Sequence, residues 1–410
     1  MAAAGREFFT ARTVADALRE FRPGHRSTIE TAPLDSAWGR VPAADIAARE
    51  ALPGFDRSSV DGYAVRASDT FGASEAIPAY LRVTAAVRMG EDADARVTPD
   101  AAVAVPTGGM LPPGADAVVM VEHTQEAMPG TIEVVRPVAP GEGVVRRDED
   151  AAPGARLVSA GRPLRAQDLA LLAAAGVSAV DVHAAPRVTI IPTGDEICPA
   201  GEAELPPGHV RDALSVSIGA LAREAGCDPR GTAIVSDDPG ALQDALELAV
   251  RDSDVIVICA GSSVGARDQT AAAVAALDHA EIWCHGLAIK PGKPTLLALI
   301  DGIPVIGLPG NPRSALVVFR LIGMPVVRRV GGWTVELHPA SVRARLSRDL
   351  ASAAGRLDVV QVRLHEGEAE PLFGPSALLS VLTAADGYMV VAQDATGLAA
   401  GAEVEVFLYV

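Results

Sequence analysis

Three apolar, β-branched runs mark the middle of the chain, and each is cut off by a small, turn-forming sequence. Val255–Cys259 (VIVIC) reads as a strand buried on both faces of a parallel sheet. It gives way at Ala260 to Gly261-Ser-Ser-Val-Gly265, whose backbone N–H groups can turn toward an anion, and Asp268 is expected to open the next helix. Val188–Pro192 ends in Thr193-Gly-Asp-Glu196. Pro304–Leu308 ends in Pro309-Gly-Asn-Pro312, followed by helical spacing over Ser314–Leu321. Further helical patterns over Ser215–Ala225, Pro239–Val250 and Gln269–Leu277 alternate with these runs, which predicts a doubly wound α/β sheet from Val188 to Val327. In such a sheet the carboxyl ends of parallel strands share one edge where ligands lie, so three loops are predicted to face one ligand.

The flanking segments read differently. Thr13–Phe21 has helical spacing with Thr13 as N-cap, and Ser36–Glu50 carries a second helical pattern. Short alternating runs over Leu81–Val87, Ala102–Val105, Ala117–Val121 and Thr131–Val135, broken by Gly and Pro, predict a small β domain. A helix over Ala166–Ala175 and a strand over Val177–Val182 lead back toward the α/β part. The N-terminal helices and this region flank the β domain, so they read as one discontinuous unit from which it protrudes. After Gly331-Gly-Trp333, short strands over Ala340–Leu346, Val359–Leu364, Tyr388–Val391 and Glu403–Tyr409 predict a compact C-terminal β domain.

Composition narrows the function. A chain of 410 residues has room for two to four domains. A formal charge of −17 argues against a nucleic-acid partner. No apolar run reaches the ~18 residues that span a bilayer, and MAAAGREFF lacks a signal-peptide apolar region, which predicts a soluble, cytoplasmic protein with no membrane partner. Cys198, Cys227, Cys259 and Cys284 lie far apart without CxxC spacing and are expected to be buried thiols. The histidines show no metal-ligand spacing. Against this acidic background there are only two lysines, Lys290 and Lys293, in Ala288-Ile-Lys-Pro-Gly-Lys-Pro294, and only one asparagine, Asn311. Arginine fills nearly every other basic position, so this stiffened pair of compact ammonium groups reads as an anion site.

Candidate chemistry also appears in polar turns. Leu52–Arg66 gathers Asp56, two serines, Asp61 and Gly62 before a strand, and Val105–Gly114 offers Thr107 beside Gly-Gly. Ile234–Gly240 places Asp237 and Asp238 ahead of a helix that one of them can cap. Carboxylates at Asp195, Glu196, Asp237 or Asp238, and Asp268 would crowd one sheet edge without a cation. A bound Mg²⁺, which favours carboxylates together with ligand phosphate, would neutralise them.

Taken together, Leu52–Arg66, Thr107-Gly-Gly, Thr193-Gly-Asp-Glu, Ser236-Asp-Asp-Pro, Ser263-Val-Gly with Asp268, Lys290-Pro-Gly-Lys-Pro and Gly307-Leu-Pro-Gly-Asn-Pro resemble the molybdopterin molybdenumtransferases, the MoeA and gephyrin E-domain family, over almost the full length. The resemblance implies an elongated discontinuous domain (1–45 and 143–185), an inserted β domain (46–142), an α/β molybdopterin-binding domain akin to the adenylyltransferases (186–332) and a C-terminal β barrel (333–410). It implies a homodimer with clefts shared between subunits, molybdate and adenylylated molybdopterin as substrates, Mg²⁺, and release of AMP. The implied handover partners are a molybdopterin adenylyltransferase and apo-molybdoenzymes. Carried onto this sequence, the implied catalytic residues are Asp61, Thr107, Glu196, Asp237 and Asp268, and the metal ligands are Asp195, Glu196 and Asp268. The implied cofactor-binding residues are Thr193, Gly194, Asp195, Gly261, Ser262, Ser263, Gly265, Lys290, Lys293, Pro309, Gly310, Asn311, Pro312 and Ser376.

The sequence departs from the family pattern at Asp56-Arg-Ser, Gly261-Ser-Ser and Asp212-Ala-Leu214. It departs again at Gln361, where the family has Arg, and at Pro375-Ser-Ala377; Arg363 is the expected stand-in for the missing cation. Two other readings are compatible with parts of the chain, a non-catalytic cofactor-binding scaffold and a molybdopterin adenylyltransferase. The scaffold should have lost the acidic and lysine residues, which are present, and the adenylyltransferase's Gly-Gly-Thr-Gly loop is replaced by Ala260-Gly-Ser-Ser263.

Overall fold

The computed structural model of the chain describes residues 11–259, 264–335 and 339–409. Its central element is a six-stranded sheet in the order Asp228–Gly231, Arg187–Pro192, Val255–Cys259, Ile303–Leu308, Leu296–Ile300, Ala280–His285. The first four strands are parallel. All five residues of Val255–Cys259 are buried, as the apolar run predicts. Alternation along it serves two cores. Val255, Val257 and Cys259 pack with Leu214, Ile218 and Leu221 of helix Leu214–Glu224, while Ile256 and Ile258 pack with Leu242 and Leu246 of helix Pro239–Asp252 and Val274 of helix Val264–Ala275. Each such Val or Ile contributes about 1.5–3 kcal/mol by leaving water, which fixes the strand at the centre.

The doubly wound sheet is mixed beyond these four strands. Leu296–Ile300 runs antiparallel to both neighbours. The cause is the two-residue turn Asp301-Gly302, both at positive φ (50° and 79°), which folds Leu296–Ile300 back onto Ile303–Leu308 as a hairpin.

The inserted sheet has the order Ala117–Met120, Gly62–Val65, Ala101–Val105, Ala79–Ala86, Thr131–Val134, Thr124–Met128. Gly62 is required there, because a Cβ would lie 2.0 Å from the Val119 carbonyl oxygen of the adjacent strand. Chain segments from both sides of this insertion pair with each other. Ile29–Pro33 lies antiparallel to Ala179–His183, and Ile46–Ala47 to Arg156–Val158, around Leu164, Leu172 and Val182. The first helix, Val14–Glu20, is capped as expected, Thr13 Oγ accepting from the Asp16 N–H at 2.9 Å. The second expected helix, Ser36–Glu50, does not form. Gly39 at φ 75° turns the chain, Pro42 follows, and Ile46–Ala47 becomes a strand.

At the C-terminus, Leu357–His365, Glu368–Leu372, Ser341–Leu346, Glu403–Leu408 and Gly387–Val391 pair in that order, and the last pairs back to the first, closing a five-stranded barrel around Val360, Val362, Met389 and Val406. Ile289–Lys290 extends it, parallel to Leu357–Asp358. Among the described residues no helix is long and apolar enough to cross a membrane.

Candidate active site at the sheet edge

Strand register decides where the loops emerge. Pro192 lies opposite Cys259, and Cys259 opposite Leu308, so all three apolar runs end at one level on adjacent strands. The Thr193 N–H donates to the Cys259 carbonyl at 3.0 Å, and the Gly194 N–H to the Val235 carbonyl at 3.0 Å, which draws in the Ser236–Asp238 turn as a fourth neighbour. Gly194 has φ 137°, and a Cβ there would lie 2.7 Å from Glu196 Oε2. The Glu196 carboxylate therefore folds over a position that only glycine fills comfortably. Exposed Asp195 accepts the Asp237 N–H at 3.1 Å. Asp238 caps helix Pro239–Asp252 by accepting the Gly240 N–H at 3.0 Å, leaving Asp237 half-buried beside a small cleft lined by Thr193, Ser236, Leu242, Gln269 and Thr270.

Gly261, Ser262 and Ser263 lie outside the described residues. The helix after them begins at Val264, which corrects the expectation that Asp268 opens it. Gly265 and Asp268 lie within the helix, Asp268 in its second turn. The side chains of residues 264–268 are outside the described set.

In the third loop, Pro309 is buried and Gly310 half-buried. Asn311 holds the N-cap position of helix Pro312–Val318 but does not cap it with its side chain; its carbonyl accepts the Ala315 N–H at 3.0 Å, and Pro312 takes the first turn, where a missing N–H costs nothing. The Arg313 N–H donates to the Ser376 carbonyl at 3.1 Å, which brings the Pro375–Ala377 turn to this helix start. The lysine loop packs on the same helix, since a Cβ on Gly292 would lie 2.4 Å from Val318 Cγ2.

The two lysines are not equivalent, contrary to the reading of them as a matched pair. Lys290 Nζ donates to Asp358 Oδ2 at 3.0 Å, and Asp358, 3% exposed, also accepts from Ser352 Oγ at 3.0 Å. Lys293 is exposed and has no ion pair among the described residues. Asp358 and Arg313 are the residues that sequence reasoning passed over. Asp358 stands three residues before Gln361, where the chain departs from the family pattern, so a signal existed; for Arg313 the only signal is its place directly after Pro-Gly-Asn-Pro. Burial lowers the Arg313 pKa, while the charges of Asp358 and Tyr409 oppose that shift.

Gln361 is 1% exposed and accepts from the Tyr409 hydroxyl, leaving its Nε2 without a partner. Arg363, the expected stand-in for the missing cation, is exposed and lies 3.6 Å from Glu370.

On the inserted sheet, Asp61 Oδ1 accepts the Thr107 N–H at 2.7 Å. That backbone donor, helped by the Thr107 hydroxyl, holds the Asp61 carboxyl below its ordinary pKa, so it is ionised at neutral pH. Asp56 likewise accepts the Arg147 N–H at 2.7 Å. The bonds of Asp61 run to Thr107 and Val121, within that sheet. The structure thus joins Asp61 to Thr107, Asp195 to Asp237, and the asparagine loop to Ser376, while the first pair stays on a separate unit.

Cys227, Cys259 and Cys284 are buried free thiols as expected, whereas Cys198, expected to be buried too, is half-buried. Burial pushes the Cys227 thiol up to about 12 and Cys284 up to about 11, so neither is a nucleophile. Among the described residues no three metal-ligating side chains converge. Asp195 and Glu196 fit a cation that takes one or two carboxylates and completes its shell with ligand phosphate and water, the usual habit of Mg²⁺.

Comparison with known proteins agrees along the whole length. Residues 11–176 match the MoeA N-terminal region (domain I and II), 189–329 a probable molybdopterin binding domain, and 343–409 the MoeA C-terminal region (domain IV). Molybdopterin molybdenumtransferase 2 of Mycobacterium tuberculosis is 32% identical over 404 residues, 97% of each chain. The molybdopterin molybdenumtransferase of Bacillus subtilis is 31% identical over 92% of this chain and 88% of its own. A crystal structure of the molybdopterin biosynthesis MoeA protein from Pyrococcus horikoshii superposes with a TM-score of 0.84 at 31% identity, covering 97% of this chain and 100% of that one. With matched regions in the same order and relatives spanning nearly its whole length, the chain belongs to the MoeA family, the molybdopterin molybdenumtransferases.

Proposed function

We propose that this chain is a molybdopterin molybdenumtransferase of molybdenum cofactor biosynthesis, which inserts molybdate into adenylylated molybdopterin with Mg²⁺-dependent release of AMP. The observation that carries this reading is the common level of Pro192, Cys259 and Leu308, which sets Thr193–Glu196 and Pro309–Pro312 side by side at one sheet edge. A polyanionic ligand suits the backbone donor at Gly310 and the ammonium groups of the lysine loop. Asp195 and Glu196, with Asp268, would hold Mg²⁺, whose charge would screen the phosphoanhydride as it breaks. Thr193 and Asp237 line the floor of that edge and position the ligand, and Ser376 with Asn311 closes the end nearest the barrel. No protein nucleophile is required, because charge stabilisation and positioning suffice for such a bond.

The same reading makes the protein a cytoplasmic homodimer of four units, 1–45 with 143–185, 46–142, 186–332 and 333–410. Each cleft pairs the sheet edge of one protomer with Asp61 and Thr107 of the other. The exposure of both residues, and the separation of their bonds from the sheet edge, support this arrangement. Substrate would arrive from a molybdopterin adenylyltransferase and product would leave to apo-molybdoenzymes.

The test is AMP release from adenylylated molybdopterin with and without molybdate and Mg²⁺, scored also by reconstitution of an apo-molybdoenzyme. Molybdate-dependent reconstitution with AMP release is expected. AMP release without any gain in reconstitution would leave hydrolysis but remove metal insertion.

A further inference from the structure

A second cavity lies away from the sheet edge, where helix Val14–Glu20 and the following turn meet the end of helix Met324–Val330. It measures about 320 Å³, and Arg22, Arg26, Arg328, Arg329, Leu18 and Trp333 are among its lining residues. Four guanidinium groups around one hollow are unusual in a chain of net charge −17.

Part of this cluster serves the backbone. Arg329 donates to the Leu18 carbonyl at 2.6 Å, as expected of a cation beside helix ends. Arg22 donates to the Arg19 carbonyl at 2.7 Å, and Arg26 to the Pro23 and His25 carbonyls at 2.9 Å. The bonds of Arg22 and Arg26 orient those two groups without neutralising them. Among the described residues no carboxylate pairs with Arg22, Arg26 or Arg328. Arg328 stands with its guanidinium 5.0 Å from the Trp333 ring centroid, and its Nε is buried without a hydrogen-bond partner. A half-buried cation keeping an unused donor beside a cavity is costly unless an acceptor arrives.

We propose that this cavity is an anion-binding site for a phosphate-bearing small molecule, separate from the sheet-edge cleft. Its volume lies at the lower end of the range for small-molecule pockets, which favours a compact ligand over a macromolecule. Recognition would rest on charge-assisted bonds from Arg22 and Arg26 at the exposed rim, with Arg328, fixed on Trp333, at the inner wall.

Calorimetric titration of the full-length dimer with pyrophosphate, and separately with AMP, tests this against the Arg22→Gln/Arg26→Gln variant. Both substituted residues are exposed and lie outside the catalytic groups. The wild type should show one saturable site per chain beyond those of the variant, weakened by roughly tenfold or more when the two arginines are lost. Catalytic AMP release should be unchanged. Equal pyrophosphate affinity would mean that phosphate alone is read, and tighter AMP that its base contributes; both support the site. Identical isotherms for wild type and variant, or no saturable binding of either probe beyond the catalytic cleft, would overturn it. The single variants, each removing one exposed side chain, give the same comparison where the double variant does not fold.

Discussion

The sheet edge and the inserted turn hold their polar groups by different means. At the edge, position comes from register. Three parallel strands buried on both faces end at Pro192, Cys259 and Leu308, and the loops follow wherever the strands stop. On the inserted sheet, Asp61 is set by one short bond from the Thr107 N–H, between two turns joined by the backbone bonds of Ser58 with Gly108 and Gly109. The first arrangement is anchored in a core and should resist local change. The second is local and exposed, which suits a group proposed to meet another protomer.

Gly194→Ala attacks the first arrangement at its most constrained point. The new Cβ would meet Glu196 Oε2, and φ 137° is unfavourable for any side chain. Displacing that carboxylate should lower kcat/KM on the order of 100-fold, and the backbone strain should cost about 1–3 kcal/mol of stability. Normal activity in this variant would mean that Glu196 has no part at the edge.

The lysines sharpen the same comparison, because one is structural in part and the other is not. Lys293→Ala should weaken binding of the anionic ligand by roughly 10- to 100-fold and leave stability unchanged. Lys293→Arg should rescue only partly, since a planar fork does not reproduce a compact charge. Lys290→Ala strands the buried Asp358 and should lower the unfolding free energy by about 1–3 kcal/mol, measured by denaturant titration.

The smallest expected effect concerns acid titration on the inserted turn. The Asp61 pKa is depressed, so the ion contributes stability above its unfolded value of about 3.9 and that contribution is lost as pH falls through the lower folded value. Its largest cause is the Thr107 backbone donor. Thr107→Ala should therefore leave most of the depression in place, whereas Thr107→Pro, which removes the N–H, should return Asp61 toward the ordinary carboxylate value in an NMR titration.

Much of the first region could be read from sequence for the same reason that it is robust. Five consecutive apolar residues at Val255–Cys259 leave little choice but a doubly covered strand, and Thr13 and Asp238 act as the caps their residue types suggest. Long-range pairing was not legible. The partner of Lys290 lies 68 residues later, and nothing in local spacing announces it. Polar strands were missed too, because Thr124–Met128 and Glu368–Leu372 are held by neighbours rather than by their own patterns. Ser36–Glu50 failed for the converse reason, helical spacing overruled by Gly39 and Pro42.

The central claim is that the two regions act on one ligand across a dimer, and subunit complementation tests it most directly. Asp61→Ala chains and Asp195→Asn chains, each inactive alone, are mixed and allowed to exchange. Recovery of about a quarter of wild-type AMP release is expected, since random exchange makes half the dimers hybrids with one intact cleft each. No recovery, with exchange verified by mass spectrometry, would contradict the shared cleft and place Asp61 and Asp195 in the same protomer's site or in separate ones.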